Sequence, residues 1–298
     1  MRESLQKYLE TIIEDESFIS EVSIAGYFQL VGAPEALIKS LWDIPLHHTL
    51  PLNSSIAGLK VGNLLMANLY YNLEGDYHTM LDMMHEMLQV KAKIIPVTTQ
   101  KARIRAILWN GDIIETQDRI SNDAAYSSGI ADLELMEDSQ HAYQHKDVFK
   151  AIKQADAIII SPWDLFTSTI SNLVIGGVKE VISKTDAQII YIWNNTNKWW
   201  ETQGLTYLDF INKIERFLGK RIDTFICNNK RLELSEQQRS AFQNDQSVKW
   251  GDFLYLSDGE KSELTRRKTR YIEADLLDRK TLYKHNTQAL TKLIHSVL

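Results

Sequence analysis

Two segments of the sequence carry side chains suited to binding a phosphorylated ligand. In the first, Thr167 and Ser168 stand beside a predicted helix start, where hydroxyl groups and free backbone amides could hold a phosphate. Ordinary capping of that helix is the alternative interpretation. In the second, Gly58 and Gly62 permit close approach to the backbone, and Asn63 offers amide donors and a carbonyl acceptor. Helix packing, with Asn63 as a cap, would explain the second pattern equally well.

Three tryptophans, Trp163, Trp199 and Trp200, lie in two predicted loops. Loop tips are normally polar, so large aromatic side chains there call for an explanation. Flat indole rings could stack on the planar base of a nucleotide. They could equally pack the loops against the protein or cover a partner surface, and the sequence does not separate these possibilities.

Several classes of enzyme lack their characteristic local motif. The chain has no G-x-G-x-x-G, no G-x-x-x-x-G-K-[ST] and no G-x-S-x-G segment, which argues against the common dinucleotide, P-loop and α/β-hydrolase sites. His141 and His145 have the spacing of zinc ligands, but no third ligand is evident nearby. The single cysteine, Cys227, follows apolar residues and is expected to be buried and structural.

Composition narrows the class of protein further. The chain has 298 residues, 44% of them hydrophobic, with 33 Lys and Arg against 39 Asp and Glu, a formal net charge of −6. The acidic balance argues against nonspecific nucleic-acid binding, and no run approaches the roughly 18 apolar residues of a membrane span. With no signal peptide in the N-terminal segment, we expect a cytoplasmic protein without nucleic-acid or membrane partners. Glycine and proline are sparse, which favours a single domain over residues 1–298.

Hydrophobic spacing predicts helices in the N-terminal part of the chain and strands later. Helical spacing marks residues 1–54 in part, residues 61–73, and a segment from Asp76 to residue 88. A strand is expected over residues 92–97. Asn110-Gly111 between two apolar runs, within residues 104–115, indicates a β-hairpin. The polar stretch over residues 121–145 is interpreted as a loop.

Short apolar runs then alternate with helices. Residues 155–160, 188–193 and 224–227 are predicted to be buried strands. The first is followed by a polar loop over residues 161–169 and a helix to about residue 183. The second is followed by a helix that begins after Thr206. This alternation predicts an α/β fold, doubly wound around a mainly parallel sheet. Ligands of such folds bind outside the carboxyl ends of the strands. The rule points to the loops that begin at Ser161, Asn194 and Asn228.

Five blocks, in order, resemble the CofD-like family, which includes 2-phospho-L-lactate transferase and the bacterial gluconeogenesis factor. Residues 57–69 (AGLKVGNLLMANL) resemble its G-H-S-L-G-N-L-L helix start, and residues 75–99 resemble its following helix and P-A-T-T strand. Residues 155–178 (ADAIIISPWDLFTSTISNLVIGGV) resemble A-D-x-I-x-x-G-P-G-S-L-Y-T-S-x-x-x-N-L. Residues 192–206 resemble N-L-M-T-Q-P-G-E-T-D-G, and residues 273–286 resemble the ending A-D-L-L-D with its R-H-D segment. The gluconeogenesis-factor branch is the closer match.

The resemblance implies a Rossmann-like fold, here with an added β-hairpin and a helical N-terminal segment, that binds a phosphorylated nucleotide or nucleotide-sugar. Transferase members move a phospholactyl group with Mg²⁺, whereas gluconeogenesis factors bind a UDP-sugar and act in carbon metabolism and cell-wall or cell-shape control. A homodimer is a further expectation from the family. Positions carried over as ligand-binding are Gly58, Gly62, Asn63, Thr98, Thr99, the loop from Ser161 to Ser168, Asn194, Glu201, Thr202 and Gly204.

Several family features are missing or changed. The family's glycine-rich phosphate turn and metal-binding aspartates have no counterpart, so the chain is expected to be a truncated or diverged member. Ser161 and Trp163 replace the two glycines of G-P-G, and Trp199-Trp200 replaces the P-G before the E-T pair. Asp164 adds a negative charge near the expected phosphate, which is tolerable mainly if a cation is present.

Three hypotheses follow from this pattern. The first is a gluconeogenesis-factor-like binding or regulatory protein with weak or absent transferase activity. The second is an Mg²⁺-dependent transferase of the 2-phospho-L-lactate type with a rebuilt site, in which Asp164 is the acidic catalytic candidate. The third is a pseudo-enzyme whose tryptophans form a partner surface.

Overall fold

The structure is a computed structural model that describes residues 61–88, 90–122, 128–198, 201–233, 235, 236, 240, 250–279, 281 and 284–298. The helices expected within residues 1–54, and the site candidates Gly58, Trp199 and Trp200, lie outside the described residues. The chain divides into two compact units, Met1–Ile95 and Pro96–Leu298, and each is described by itself. A single domain over residues 1–298 stays a prediction.

The described part of the first unit contains two helices joined by a tight turn. Helix α1 is Val61–Asn72 and helix α2 is Tyr77–Leu88, close to the predicted bounds. Asp76 caps α2, because its Oδ1 atom accepts hydrogen bonds from the backbone nitrogens of His78 at 3.0 Å and Thr79 at 3.2 Å.

The strand predicted over residues 92–97 is wrong, since the described backbone there contains no strand. Pro96 has no N–H to donate to a neighbouring strand. The Ile94 backbone nitrogen instead donates to Nε2 of His85 at 3.1 Å. These apolar residues resemble a strand in sequence but do not pair with a neighbouring strand in the described structure.

The second unit alternates strands and helices. In chain order its elements are β1 (Ile104–Leu108), β2 (Ile113–Glu115), α3 (Gln117–Asn122), β3 (Ile130–Leu135), a 3₁₀ turn (Glu137–Ser139), α4 (Lys146–Gln154), β4 (Ala157–Ile160), a π-helix (Leu165–Ile170), α5 (Ser171–Leu173), α6 (Val178–Lys184), β5 (Gln188–Ile192), β6 (Thr196–Lys198), α7 (Tyr207–Leu218), β7 (Thr224–Asn228), β8 (Trp250–Phe253), α8 (Asp258–Arg266), β9 (Arg270–Ala274) and α9 (Thr287–Val297). The predicted α/β fold class is confirmed.

A four-stranded parallel sheet in the order β4-β5-β7-β9 forms the centre of this unit. Its first three strands are the three buried strands that the sequence predicts. Both faces are covered, as expected for a parallel sheet. On one face, Tyr191 and Phe225 pack with Trp193 and Phe210. On the other face, apolar side chains of α9 pack against strand residues that include Ile190.

A second, antiparallel sheet has the order β2-β1-β3. The predicted hairpin is confirmed as β1 and β2. The loop interpretation of residues 121–145 is wrong, because β3 lies within that stretch and pairs with β1. Ile130, Leu133 and Leu135 are buried while acidic side chains between them are partly exposed. The acidic residues obscured this alternation in the sequence.

The single helix expected after Thr169, to about residue 183, is interrupted: a π-helix, α5 and α6 divide this stretch, and residues 174–177 are not helical. Gly177, before α6, has φ +81°, and a Cβ atom there would lie 2.4 Å from the Tyr143 ring. By contrast, Thr206 caps α7 as predicted: its Oγ1 accepts from the Asp209 backbone nitrogen, and the Asp209 carboxylate accepts from the Thr206 nitrogen at 2.8 Å.

Candidate functional site

The carboxyl ends of β4 and β5 lie side by side, because Ile160 pairs with Tyr191 in the parallel sheet. The segments that follow these strands therefore leave the same edge, where doubly wound folds bind their ligands. They bring together Asp164, Lys198 and Glu201, called the ion triad below. The sequence singled out Asp164 and Glu201 but not Lys198.

Glu201 is the buried member of the triad, with 1% of the residue exposed. Its Oε1 atom accepts hydrogen bonds from the backbone nitrogens of Phe166 at 2.7 Å and Thr167 at 2.9 Å. These amides begin the π-helix, where backbone N–H groups lack partners within a helix. The carboxylate of the chain itself therefore occupies the amides that the sequence suggested for a phosphate.

The neighbouring amides are also used within the loop. The backbone nitrogens of Ser168 and Thr169 donate to the Asp164 carbonyl oxygen at 3.2 Å and 2.9 Å. The hydroxyl of Ser171 donates to the Thr167 carbonyl at 2.8 Å. Ligand binding by Thr167 and Ser168 stays a prediction. In this arrangement a ligand would meet the side chains of the loop before its backbone.

Lys198 links the two carboxylates of the triad. Its Nζ atom lies 2.5 Å from Oδ2 of Asp164 and 3.5 Å from Oε2 of Glu201. The turn that holds it is fixed by Thr202, whose backbone nitrogen donates to the Lys198 carbonyl at 3.0 Å and whose Oγ1 accepts from the Lys198 nitrogen at 2.8 Å. The predicted residue Thr202 thus positions Lys198 and Glu201 on one side of a turn.

Electrostatics within the triad are set mainly by burial. Burial raises the pKa of Glu201 above its usual value, and the nearby Asp164 carboxylate raises it further. Lys198 and the amides of Phe166 and Thr167 act in the opposite direction. The triad is therefore a pair of carboxylates that share one ammonium group.

Trp163 directly precedes Asp164 in the chain, and 68% of the residue is exposed. Its backbone nitrogen donates to the Ser161 carbonyl at 2.9 Å, and its carbonyl accepts from Nδ2 of Asn194 at 3.0 Å. The backbone that carries the indole is therefore fixed from both sides. The structure brings together four predicted residues here, Ser161, Trp163, Asp164 and Asn194.

In the other half of the carboxyl edge, after β7 and β9, neutral side chains join the segments, although Asp275 and Arg279 form an exposed ion pair there. Oδ1 of Asn228 accepts from the backbone nitrogens of Lys230 at 3.2 Å and Leu276 at 3.1 Å. Nδ2 of Asn195 donates to the Lys284 carbonyl at 3.2 Å. The next residue, His285, is half-buried, and burial lowers its pKa to about 4, while a hydrogen bond with the Trp193 backbone opposes the shift.

Sequence reasoning missed Lys198, Asn195 and His285 as members of this edge. One signal for Lys198 was present, because the negative charge of Asp164 called for a cation. The structure supplies that cation from the chain. His285 lies in the block of residues 273–286 that resembles the family's R-H-D segment, but no spacing rule places that segment at this edge.

The other predicted residues are each described within their own unit. Gly62 is half-buried and Asn63 is exposed in the first unit. Oγ1 of Thr98 accepts from the Gln100 backbone nitrogen at 3.1 Å, and Thr99 is exposed. Gly204 is exposed with φ +75°. Their roles in ligand binding stay predictions.

The triad does not form an Mg²⁺ site as it stands, because Lys198 lies between the two carboxylates. Across the residues that the structure describes, no group of three or more His, Cys, Asp or Glu side chains is arranged to hold a metal ion. The cysteine Cys227 is buried, which raises its pKa to about 12 and makes it a poor nucleophile. Within the described residues, no helix has the length and apolar character needed to cross a membrane.

Comparison with known proteins places the whole arrangement in context. The model of a protein family described as 2-phospho-L-lactate transferase CofD matches residues 5–277, which extends the resemblance to residues before 57. A protein of Thermotoga maritima named "Putative gluconeogenesis factor" is 29% identical over 177 residues, 59% of this chain and 54% of that protein. A Streptococcus pyogenes protein of the same name is 26% identical over 228 residues, 76% of this chain and 66% of that protein.

The fold has a counterpart among solved structures. The crystal structure of a UPF0052-family protein of Bacillus halodurans superposes with a TM-score of 0.70 at 20% identity, covering 96% of this chain and 88% of that chain. The chain spans about half the length of the first gluconeogenesis-factor relatives, 54% and 41%.

Proposed function

The chain belongs to the CofD family, and from this premise we propose that it is a gluconeogenesis-factor-like protein that binds a phosphorylated nucleotide or UDP-sugar. The binding place is the carboxyl edge of β4 and β5. Its role is regulatory, in carbon metabolism and cell-wall or cell-shape control, and it acts in the cytoplasm. These finer statements rest on the relatives' name and on the resemblance described above.

One observation carries the proposal: Trp163, whose indole is exposed, has its backbone fixed at the sheet edge where this fold class binds ligands. The Trp163 carbonyl accepts from Asn194 and its backbone nitrogen donates to the Ser161 carbonyl, so the indole is carried on a restrained segment. Its flat ring can cover the apolar face of a base or a sugar. Beside it, the ion triad supplies donors and acceptors for polar groups.

Binding rather than group transfer is favoured because Asp164 and Glu201 are both engaged by Lys198. Neither carboxylate is placed to hold a metal ion without displacing that ammonium group. We therefore propose that UDP-sugar binding does not require Mg²⁺.

A thermal-shift panel tests the proposal. UDP-sugars, UDP, GTP and a deazaflavin are each added with and without Mg²⁺ to the full chain. A ligand at about 100 times its Kd stabilises by roughly 2.7 kcal/mol, which raises the Tm by several degrees for a chain of this size. A shift with a UDP-sugar, equal with and without Mg²⁺, is the expected result. No shift with any uridine ligand would contradict the proposal.

The family description favours one alternative, an Mg²⁺-dependent transferase of the 2-phospho-L-lactate type. That function predicts Mg²⁺-dependent turnover that is lost in Asp164→Asn, because Asp164 is the partly exposed carboxylate at this edge. A third outcome, tryptophan emission that is quenched by acrylamide but unaffected by nucleotides, would indicate a partner-binding surface and a pseudo-enzyme.

A further inference from the structure

The charge balance of the ion triad makes it a poor place for a phosphate. Glu201 already accepts the amide hydrogens at the start of the π-helix. With both carboxyl groups ionised, two negative charges face the single positive charge of Lys198. Even with Glu201 protonated, the charges of the three groups sum to zero. A phosphate placed here would meet the Asp164 carboxylate without a surplus positive charge to compensate.

The same groups are well matched to hydroxyl groups. A carboxylate only accepts hydrogen bonds and an ammonium group only donates them, whereas a hydroxyl group does both. Adjacent hydroxyls can therefore donate to Asp164 and accept from Lys198 without breaking the 2.5 Å contact between these two side chains. Hydrogen bonds to charged partners are stronger than those between neutral groups.

Trp163 adds an exposed indole, an apolar surface, to the same loop as Asp164. Asp164 follows it directly in the chain, and Asn194 binds the Trp163 carbonyl. A sugar ring combines one face of C–H groups with hydroxyls around its edge. The indole would cover the C–H face, and the hydroxyl groups would reach Asp164 and Lys198.

We propose that Trp163, Asp164 and Lys198 form a subsite for the uncharged sugar of a nucleotide-sugar, with the phosphates held outside the triad. This inference rests on the proposed function and names the part of the ligand that the triad recognises. It also explains why Trp163 and Asp164 stand where the family pattern has glycine and serine: the changes exchange an anion-accepting loop for a hydroxyl-accepting one.

The test compares UDP with UDP-glucose by isothermal titration calorimetry on the full chain. UDP-glucose binds more tightly than UDP to the wild type. Trp163→Ala and Asp164→Asn each weaken UDP-glucose by about tenfold, the loss of about 1.4 kcal/mol, and leave UDP within about twofold. Trp163→Phe keeps an aromatic ring and retains most of the UDP-glucose affinity.

Two matched controls separate the subsite from general surface effects. Trp109→Ala removes an indole that is 65% exposed on the β1–β2 hairpin. Asp132→Asn removes a carboxylate that is 2.5 Å from Arg216 and 27% exposed at its side chain, close to the 31% of Asp164. Neither control changes the affinity for UDP-glucose, and far-UV circular dichroism with a melting curve confirms that every variant is folded.

The outcomes distinguish this inference from the proposed function. If the wild type binds neither UDP nor UDP-glucose, the proposed function fails and the subsite falls with it. If it binds UDP-glucose and Trp163→Ala and Asp164→Asn leave that affinity unchanged, the subsite alone is wrong. If Asp164→Asn tightens UDP and UDP-glucose equally, Asp164 faces the phosphates, which also overturns the subsite.

Discussion

At the ends of β4 and β5 the loops are joined by charged side chains, whereas at the ends of β7 and β9 they are joined by neutral ones. The charged half has Asp164, Lys198 and the buried Glu201. The neutral half has Asn228, which accepts hydrogen bonds from two backbone nitrogens, and the half-buried His285. Both halves connect segments that are far apart in the sequence.

Both halves join distant segments of the chain, but their titratable groups, Glu201 and His285, change stability with pH in opposite directions. The pKa of Glu201 is raised in the folded chain, so the stability that its protonated form gives is lost as pH rises through the folded pKa. The pKa of His285 is lowered to about 4, so the stability that its neutral form gives is present above about 6.5 and lost as pH falls towards 4. The charged cluster is held together in one half because Lys198 contacts both carboxylates.

The largest expected effect comes from Glu201→Leu. This change leaves the amides of Phe166 and Thr167 without their acceptor and removes one partner of Lys198. We expect the free energy of unfolding to fall by about 4 kcal/mol, the usual range for breaking a buried pair. Glu201→Gln keeps an oxygen for both amides and should cost only about 1 kcal/mol. Urea denaturation at neutral pH measures both.

The matched control for Glu201 is Glu263→Gln on α8, which removes a surface contact with Arg266 at 2.6 Å. Such exposed pairs contribute at most about 1 kcal/mol. Equal losses for Glu201→Leu and Glu263→Gln would show that the charged half is an ordinary surface network, and the comparison between the halves would fail.

The second prediction concerns acid stability, which the neutral half should govern through His285. A pKa of about 4 in the fold, against 6.5 when unfolded, corresponds to about 3 kcal/mol that is lost between these pH values. The free energy of unfolding from urea denaturation should therefore be about 2 kcal/mol lower at pH 5 than at pH 7.5 in the wild type. His285→Gln does not titrate and should reduce this difference. The exposed His141, changed to Gln, should keep it.

How much of the fold the sequence could predict depended on whether apolar residues were continuous along an element. The runs at β4, β5 and β7 are continuously apolar and were recognised, as was the Asn110-Gly111 hairpin. The strand β3 was missed because Asp132 and Glu134 lie between its buried residues. The false strand over residues 92–97 failed for a backbone reason, since Pro96 cannot donate to a ladder.

The sequence predicted the site residues that lie at strand ends, but not the contacts between side chains that are far apart in the sequence. The rule for strand ends pointed to the segments holding Trp163, Asp164 and Asn194, and the structure brings these together. That Glu201 would occupy the amides at the π-helix start requires a contact across 35 residues. Local spacing gives no information about such a contact, and the same holds for His285 beside Trp193.

The third prediction sharpens the comparison with two asparagines that hold the loops of the two halves. Asn228→Ala leaves the Leu276 amide without its acceptor in a buried place, so the free energy of unfolding should fall by about 2 kcal/mol. Asn194→Ala removes one exposed hydrogen bond to the Trp163 carbonyl and should cost less than about 1 kcal/mol. The loop that carries Trp163 would lose one of its two backbone restraints, so we expect weaker UDP-glucose binding despite the small loss of stability. Urea denaturation and titration calorimetry on both variants measure this separation. If Asn194→Ala destabilises as much as Asn228→Ala, the charged half depends on that amide for its fold, and the ion triad alone does not hold its loops.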